Sequence, residues 1–558
     1  MKDRFADVTA SLGSLATNRP GRWKLAACGV TPGLQGIPAL LDREAYLPAS
    51  SRTRVLLISG LSGSERDVAL AMRTLELFRD EGDRLGDRIA LTAVPWANPQ
   101  GSHDITSGYP PLENFFNDPE APEKRYLWRW ICFQAPGLIL EVRAGESVRW
   151  QANGAAADLA STLDSAANPV EAGSLLDALG KGTPDGLGPI PGLRLTCSSE
   201  SLTAELSRLW DAVSTLAASP ARQALDQRRA RSYLEVAGTL ASVYGFQLEP
   251  VNYTQGVGIS GRLRLAQLAH QNEPTASSIA QMLEPYVSGA APMFGERAGG
   301  ANLAGLIWGE ELSRATGDRR YSDLIVSVAG RYQPGVNDGA PPPCDPDFRT
   351  EDMFMAGAML GRAFGITAEA RYLDMLVKFL VDSGIQQENG LFWHCRSAPF
   401  FWSRGNGFAA LGLTETLTYL PENHPGRDAL LNMYRRLMDG LEKVQELSGM
   451  YPQILDFPGS YHELTATCMA GYSLARGIGR GWLDSSYQAA LELAWQGVSE
   501  RIDGQGNVVD GCASTGVQAT LKEYLDRPAV FGFDDRSGGM ALWFAVEMER
   551  LGRERTGG

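Results

Sequence analysis

The feature that most restricts the fold is a change of period near residue 222. Beyond it, strand-like runs nearly vanish and helix-period segments follow one another through short turns. ATGDRRYSDLIVSVAGRY (315–332) and GITAEARYLDMLVKFL (365–380) each follow an apolar helix. Their Tyr321 and Tyr372 stand at matching places, about fifty residues apart, and GWLDSSYQAALELAW (481–495) carries the pattern again. A helix pair of that length, repeated roughly six times, predicts a closed ring of helical hairpins, an (α/α)6 toroid. Inner helices would be small and apolar, as in GANLAGLIWGEEL (300–312), and outer ones amphipathic. Residues 223–558 are therefore expected to form an all-α domain.

Residues 1–222 read differently. RVLLISGLSGSE (54–65) is an apolar run ending in a Gly-rich turn before an amphipathic helix. RIALTAVPWANPQG (88–101) and GLILEVRAG (137–145) supply two further buried strands. Apolar strands separated by helices predict an α/β domain with a mainly parallel sheet, its functional residues at the strands' carboxyl ends. SLTAELSRLWDAVSTLA (201–217) has helical spacing and closes the domain, and Pro220 marks the break, where a helix would stop or restart.

The chain of 558 residues is too long for one ordinary core, so two domains are expected. Seven scattered cysteines without CxxC spacing read as reduced thiols, neither a disulfide frame nor a zinc cage. No window is apolar enough for a membrane span, and the first thirty residues lack an apolar stretch with a cleavage site, which favours the cytoplasm unless a leader has been removed. A formal charge of −14 without basic runs argues against nucleic acid or an anionic membrane as partner. An acidic ligand would need a few local arginines working against that field. Oligomeric state is not readable.

Chemistry concentrates in GLFWHCRSAPFFWSRGNGFAALGL (390–413). Phe392, Trp393, Phe400, Phe401 and Trp402 offer flat apolar faces, while His394 and Arg404 offer donors, a combination suited to an anionic sugar ring. Asn406, between two glycines, shapes the turn that aims Arg404. Thr350 reads as a helix N-cap, which puts Glu351 and Asp352 in a first turn where acids complement the helix dipole. That placement lowers a carboxyl pKa, so burial must offset it if Asp352 is to hold a proton.

Across about 300 residues the sequence resembles the unsaturated glycuronyl hydrolases, glycoside hydrolase family 105 and its relative family 88. The matching stretches are EDMFMAGAML (351–360), GLFWH (390–394), FWSRGNGF (401–408), GMYPQILDFPGSYHELTATCMAGYSLARGIGRGWLD (449–484), NVVDGCASTG (507–516) and FDDRSGGMAL (533–542). The resemblance implies Asp352 as proton donor, with His394, Trp402 and Arg404 holding the unsaturated sugar, Arg404 as carboxylate clamp and Trp402 as stacking face. It implies an oligosaccharide ending in a 4,5-unsaturated uronic acid as substrate, and no cofactor or metal. A second carboxylate is usual on the preceding inner helix, but here that helix begins Gly299-Gly300-Ala301-Asn302, leaving Asn302 as the nearest polar group. His394 reads equally well as a satisfied buried histidine, and Ser460-Tyr461-His462-Glu463 as a capping box that would make Glu463 structural. His462 and Gln453 lie on loops placed to reach the site. A noncatalytic sugar binder is the alternative that the missing second acid encourages.

The N-terminal half resembles the zinc carboxypeptidase-like and succinylglutamate desuccinylase-like amidohydrolases. In that family a His-x-x-Glu pair in the first turn and a histidine on a later strand bind the metal. Here Ser62 precedes Glu65 and Arg143 ends the later strand, and the half's one histidine, His103, lies on a different loop. One carboxylate cannot hold catalytic zinc, so a fold kept without its metal is expected, with a zinc amidohydrolase as the rival.

Overall fold

The computed structural model describes residues 2–18, 21–101, 104–111, 121–183, 186–214, 216–296, 298–337, 339–514 and 516–556. His103 lies outside the described residues. The chain forms two compact units, Met1–Ala230 with Phe457–Tyr461, and Arg231–Asp456 with His462–Gly558.

The first unit is built on an eight-stranded sheet: β1 Trp23–Val30, β2 Gly36–Asp42, β3 Thr53–Ile58, β4 Ile89–Val94, β5 Leu138–Ala144, β6 Arg149–Ala152, β7 Asn168–Pro169 and β8 Gly192–Cys197, in the order β1-β2-β4-β3-β5-β8-β6-β7. The sheet is mixed, which corrects the mainly parallel expectation. Parallel pairing runs through β4, β3, β5 and β8, while the β1–β2 hairpin, the β2–β4 pair and the β8–β6 pair are antiparallel. The central strands are covered on both faces and so read as continuous apolar runs. β1 is only partly covered along its middle and carries Lys24 and Cys28, so its sequence gives no such run. Pro220 restarts the helix, as expected: it opens Pro220–Arg229 at the first position with Ser219 as its cap, where a missing N–H is harmless, and the first unit runs on to Ala230.

Among the described residues of the second unit twelve helices of eight residues or more alternate, numbered here α1 Tyr233–Ala241, α2 Tyr253–Leu268, α3 Asn272–Val287, α4 Gly309–Thr316, α5 Arg320–Ala329, α6 Thr350–Thr367, α7 Ala370–Asp382, α8 Ser403–Tyr419, α9 Arg427–Val444, α10 Leu464–Gly479, α11 Gln488–Glu500 and α12 Asp535–Thr556. The even-numbered helices form an inner ring. α6 packs on α8, α8 on α10, α10 on α12, α12 on α2, and the short turns 300–306 leading into α4 close the gap between α2 and α6. Odd-numbered helices pack outside them, and α1 covers α12. Glycine lets the inner backbones approach: a methyl group on Gly412 would come within 2.5 Å of the Met353 backbone. None of the described helices is long and apolar enough to cross a membrane.

Midway down the ring each inner helix contributes one ionised side chain, alternating in sign: Arg264, Glu311, Arg362, Glu415, Arg476 and Glu547. Arg264 Nε lies 2.9 Å from Glu311, Arg362 lies 3.5 Å from Glu311 and 2.8 Å from Glu415, and Arg476 Nε lies 2.5 Å from Glu547. The Tyr472 hydroxyl donates to Glu415 at 2.8 Å and accepts from Arg264 at 3.1 Å. Burial alone would raise the Glu415 carboxyl, but Arg362, Arg264 and Arg476 pull it down to about 2.

Candidate functional site

The inner helices run parallel and their first turns stand level. Asp352 lies against Gly300, Thr350 against Gly405, and Ala466 against Gly407. Thr465 is bonded to Ser537, and Gln255 to Asp535. Five helix N-termini and the short turn from Gly300 therefore surround one end of the ring and give it a positive local potential in a chain of negative charge. The ion ring lies ten residues further along α6, a depth of about 15 Å at helical rise.

Two carboxylates occupy the first turn of α6. Arg349, not Thr350, holds the cap position, and the Thr350 amide donates instead to the His394 carbonyl at 3.0 Å, tying α6 to the aromatic segment. Asp352 is 9% exposed and accepts the Asp345 amide at 2.7 Å. Burial raises its carboxyl; the Asp345 amide opposes this, but the charges of Glu351 and Asp345 add to it, and the pKa reaches about 7. A helix start alone would lower it, so desolvation outweighs the dipole here. Glu351 goes the other way. Burial pushes it up, yet the adjoining His394 imidazole outweighs that and holds it below the usual carboxylate range. The two neighbours are thus separated in protonation by their surroundings.

A methyl group on Gly300 would fall 2.9 Å from Asp352 Oδ1. Gly300→Ala is expected to displace that carboxyl and lower turnover about tenfold or more, with little change in melting temperature, as read by steady-state kinetics beside thermal unfolding.

The aromatic segment is organised around His394, which is fully buried. Its Nε2 lies 3.1 Å from the Glu351 carboxylate and its Nδ1 lies 2.5 Å from the Tyr524 hydroxyl. The Trp402 ring sits 4.5 Å from the imidazole, centroid to centroid. Arg404 and Arg527 each bring a guanidinium carbon to 4.9 Å from the Trp402 ring. Arg404 also donates to the carbonyls of Cys512 and Ser514, at the end of a strand over Val508–Cys512. Its fork is thus anchored on backbone beside the indole. Asn406 takes the Phe392 amide at 2.7 Å and donates to the carbonyls of Phe392 and Trp402 at 2.9 and 3.0 Å, so it staples the segment to the first turn of α8. Trp393 is half-buried at the edge of the core.

Other sequence candidates are engaged elsewhere. The Asn302 amide accepts from the Gly299 N–H at 3.1 Å and donates to the Val251 carbonyl at 2.8 Å, a turn-closing role, and what borders Asp352 is the Gly300 backbone. Glu463 is itself the cap of α10, not the far member of a capping box: it accepts from Thr465, Ala466 and Cys512 amides. His462 pairs with Glu446 at 2.7 Å and accepts from Arg501 at 2.9 Å. The Gln453 amide nitrogen donates to the Tyr524 carbonyl at 3.2 Å, while its oxygen is buried without a hydrogen-bond partner.

Glu351, Tyr524 and Gly300 are the site residues that the sequence did not single out. Tyr524 sits on a single turn, Leu521–Leu525, opened by a Thr520/Glu523 capping box that is visible in the sequence but carries no chemical signal of its own.

In the first unit the positions a carboxypeptidase-like metal centre would use do not fit a metal. Ser62 donates to Asp67 at 3.1 Å. Arg143 is ion-paired with Glu141 at 2.6 Å, and Arg194 takes the second Glu141 oxygen at 2.8 Å, so a cation already stands where a ligand would be needed.

Six hairpins closing on themselves, with the polar groups gathered at one rim, place the second unit among toroid-like (α/α)6 folds. The chain belongs to Glycosyl Hydrolase Family 88, whose sequence model matches residues 240–552. It is 26% identical over 171 residues to an unsaturated 3S-rhamnoglycuronyl hydrolase of Alteromonas sp. (strain LOR), covering 28% of this chain and 41% of that protein. It is 25% identical over 210 residues to an unsaturated rhamnogalacturonyl hydrolase of Bacillus subtilis (strain 168), covering 36% and 58%. The chain thus spans about half the length of these relatives. Among solved structures, a possible family 105 member from Klebsiella pneumoniae shares the fold with a TM-score of 0.50 at 19% identity, over 59% of this chain and 93% of that one. One from Salmonella enterica does so with a TM-score of 0.50 at 20% identity, over 59% and 94%.

Proposed function

We propose that this protein is a hydrolase that removes a 4,5-unsaturated uronic acid from the non-reducing end of lyase-generated oligosaccharides. The observation that carries the reading is the pair of adjacent carboxyls on α6, one held protonated near neutrality and the other ionised against His394. Family membership and the activities for which the two relatives are named support the substrate class.

The unsaturated ring is a vinyl ether. Asp352 gives its proton to ring carbon 4, leaving an oxocarbenium ion at carbon 5. Water adds at carbon 5 and returns a proton to the Asp352 carboxylate, and the hemiketal opens to release the neighbouring sugar. Glu351, ionised and oriented by His394, stabilises the cationic intermediate and takes the place of the second acid that the preceding inner helix lacks. Trp402 and Arg404, expected as stacking face and carboxylate clamp, are both fully buried and so back the site: the indole supports His394, and the Arg404 charge, its fork spent on two carbonyls, adds to the helix N-termini in favouring the uronate. Asn406 and Tyr524 position Trp402 and His394. The first unit keeps a carboxypeptidase-like architecture without its metal and supports the protein in a role other than hydrolysis.

Incubation with a panel of lyase-generated disaccharides, followed by the ultraviolet absorbance of the conjugated double bond, tests the reading. Loss of absorbance with at least one disaccharide is expected. Saturable binding of every member without turnover would replace the enzyme with a sugar-binding protein. Tyr524→Phe is expected to reduce kcat about threefold to tenfold with KM nearly unchanged, because it removes one bond that orients His394 without touching the sugar.

A further inference from the structure

The first unit holds a small depression at the start of β3, the end of that strand away from its Gly-rich turn, lined by Ser50, Ser51, Arg52, Thr53, Arg54 and Arg222 together with residues 137 and 216–218. Its volume is about 120 Å³. Three arginines and three hydroxyl residues line it, and among the described lining residues none is acidic, in a chain whose formal charge is −14; the Ser50 hydroxyl donates to Glu44 at 2.8 Å and the Thr53 hydroxyl to the Leu216 carbonyl at 3.5 Å.

The acids that balance these arginines stand behind or beside the depression. Arg52 reaches Glu44 at 3.5 Å and Asp87 at 3.7 Å, both longer than a good charge-assisted hydrogen bond. Arg54 donates to the carbonyls of Ala45 and Leu47 at 2.8 and 2.9 Å. Arg222, 4% exposed, meets Asp226 at 2.9 Å through one terminal nitrogen, while its buried Nε has no hydrogen-bond partner. A buried guanidinium N–H without an acceptor is costly, and a ligand oxygen would relieve it. The depression also adjoins the start of the ten-residue helix Pro220–Arg229, whose dipole adds to the positive potential.

We propose that this depression binds a tetrahedral oxyanion, a phosphate or sulfate group, held by Arg52, Arg222 and the hydroxyl of Ser51. The forked geometry of arginine suits such a group, and the volume admits it while leaving any attached sugar outside. The group could arrive as the inorganic ion or as a monoester on a sugar.

Calorimetric titration of the full chain with sodium phosphate, sodium sulfate and glucose 6-phosphate, each against sodium chloride at equal ionic strength, tests this. Saturable one-to-one binding of at least one of them is expected, weakened about tenfold or more in Arg52→Gln. Tighter binding of glucose 6-phosphate than of phosphate assigns the ester as the ligand, and equal binding assigns the ion. Arg52→Gln should leave hydrolysis of an unsaturated disaccharide unchanged. Heats no larger than those with chloride, or binding that Arg52→Gln does not alter, overturn the assignment, and neither result touches the reading of the second unit.

Discussion

Asp352→Asn is expected to lower turnover of an unsaturated disaccharide by at least about a hundredfold, the usual scale for loss of a positioned general acid. The amide keeps the size of the side chain and can still accept the Asp345 amide, so the change removes the proton and little else. The wild-type rate should fall as pH rises through about 7, where Asp352 loses its proton. In Glu351→Gln the falling limb should move to lower pH, because the negative neighbour that helps to raise the Asp352 carboxyl is gone. Stability gives an independent readout with a fixed sign. The folded-state pKa of Asp352 is raised above its ordinary value, so between roughly pH 4 and 7 the folded chain holds a proton that the unfolded chain releases. Its contribution is full below that window and is lost as pH rises through it, by roughly 3 to 5 kcal/mol at most. Asp352→Asn should therefore melt higher than wild type at pH 8 while being nearly inactive, and the gap should close towards pH 4. A variant that turns over at the wild-type rate would remove Asp352 from the chemistry.

The ring of helical hairpins is legible in the sequence because inner helices repeat small, apolar residues at a helical period, as in the stretch from Gly300 to Leu312, and outer helices alternate with them. The aromatic segment is legible because its residue types are rare together. What the sequence hides is direction. Glu351 and Asp352 are consecutive, and their spacing says nothing of which one meets His394 and which one meets Gly300. The direction of the Arg404 guanidinium is hidden too, since its partners are carbonyls more than a hundred residues away, and any residue carries a carbonyl. In the first unit the β1–β2 hairpin is not legible because a half-covered edge strand lacks the apolar run that marks the central ones.

The ion ring illustrates the same limit and leads to the second large effect. Single charged residues on apolar helices look like isolated solvated charges in the sequence, yet Arg362 is 1% exposed and serves two buried carboxylates, Glu311 and Glu415. Arg362→Leu should leave Glu415 without its ion-pair partner in a low-dielectric interior and Glu311 with Arg264 alone, and a loss of roughly 3 to 5 kcal/mol is expected, enough to lower the melting temperature sharply or to prevent soluble expression. The double variant Arg362→Leu/Glu415→Leu removes a cation and an anion together and should recover much of that loss, because the remaining Arg264–Glu311 and Arg476–Glu547 pairs still balance. Chemical denaturation of the two variants and of Glu415→Leu completes the cycle. If the single changes simply add, the six charges are independent surface-like pairs. A large coupling term instead identifies the ring as one electrostatic unit that holds the six inner helices in register about 15 Å beneath the rim where Asp352 sits.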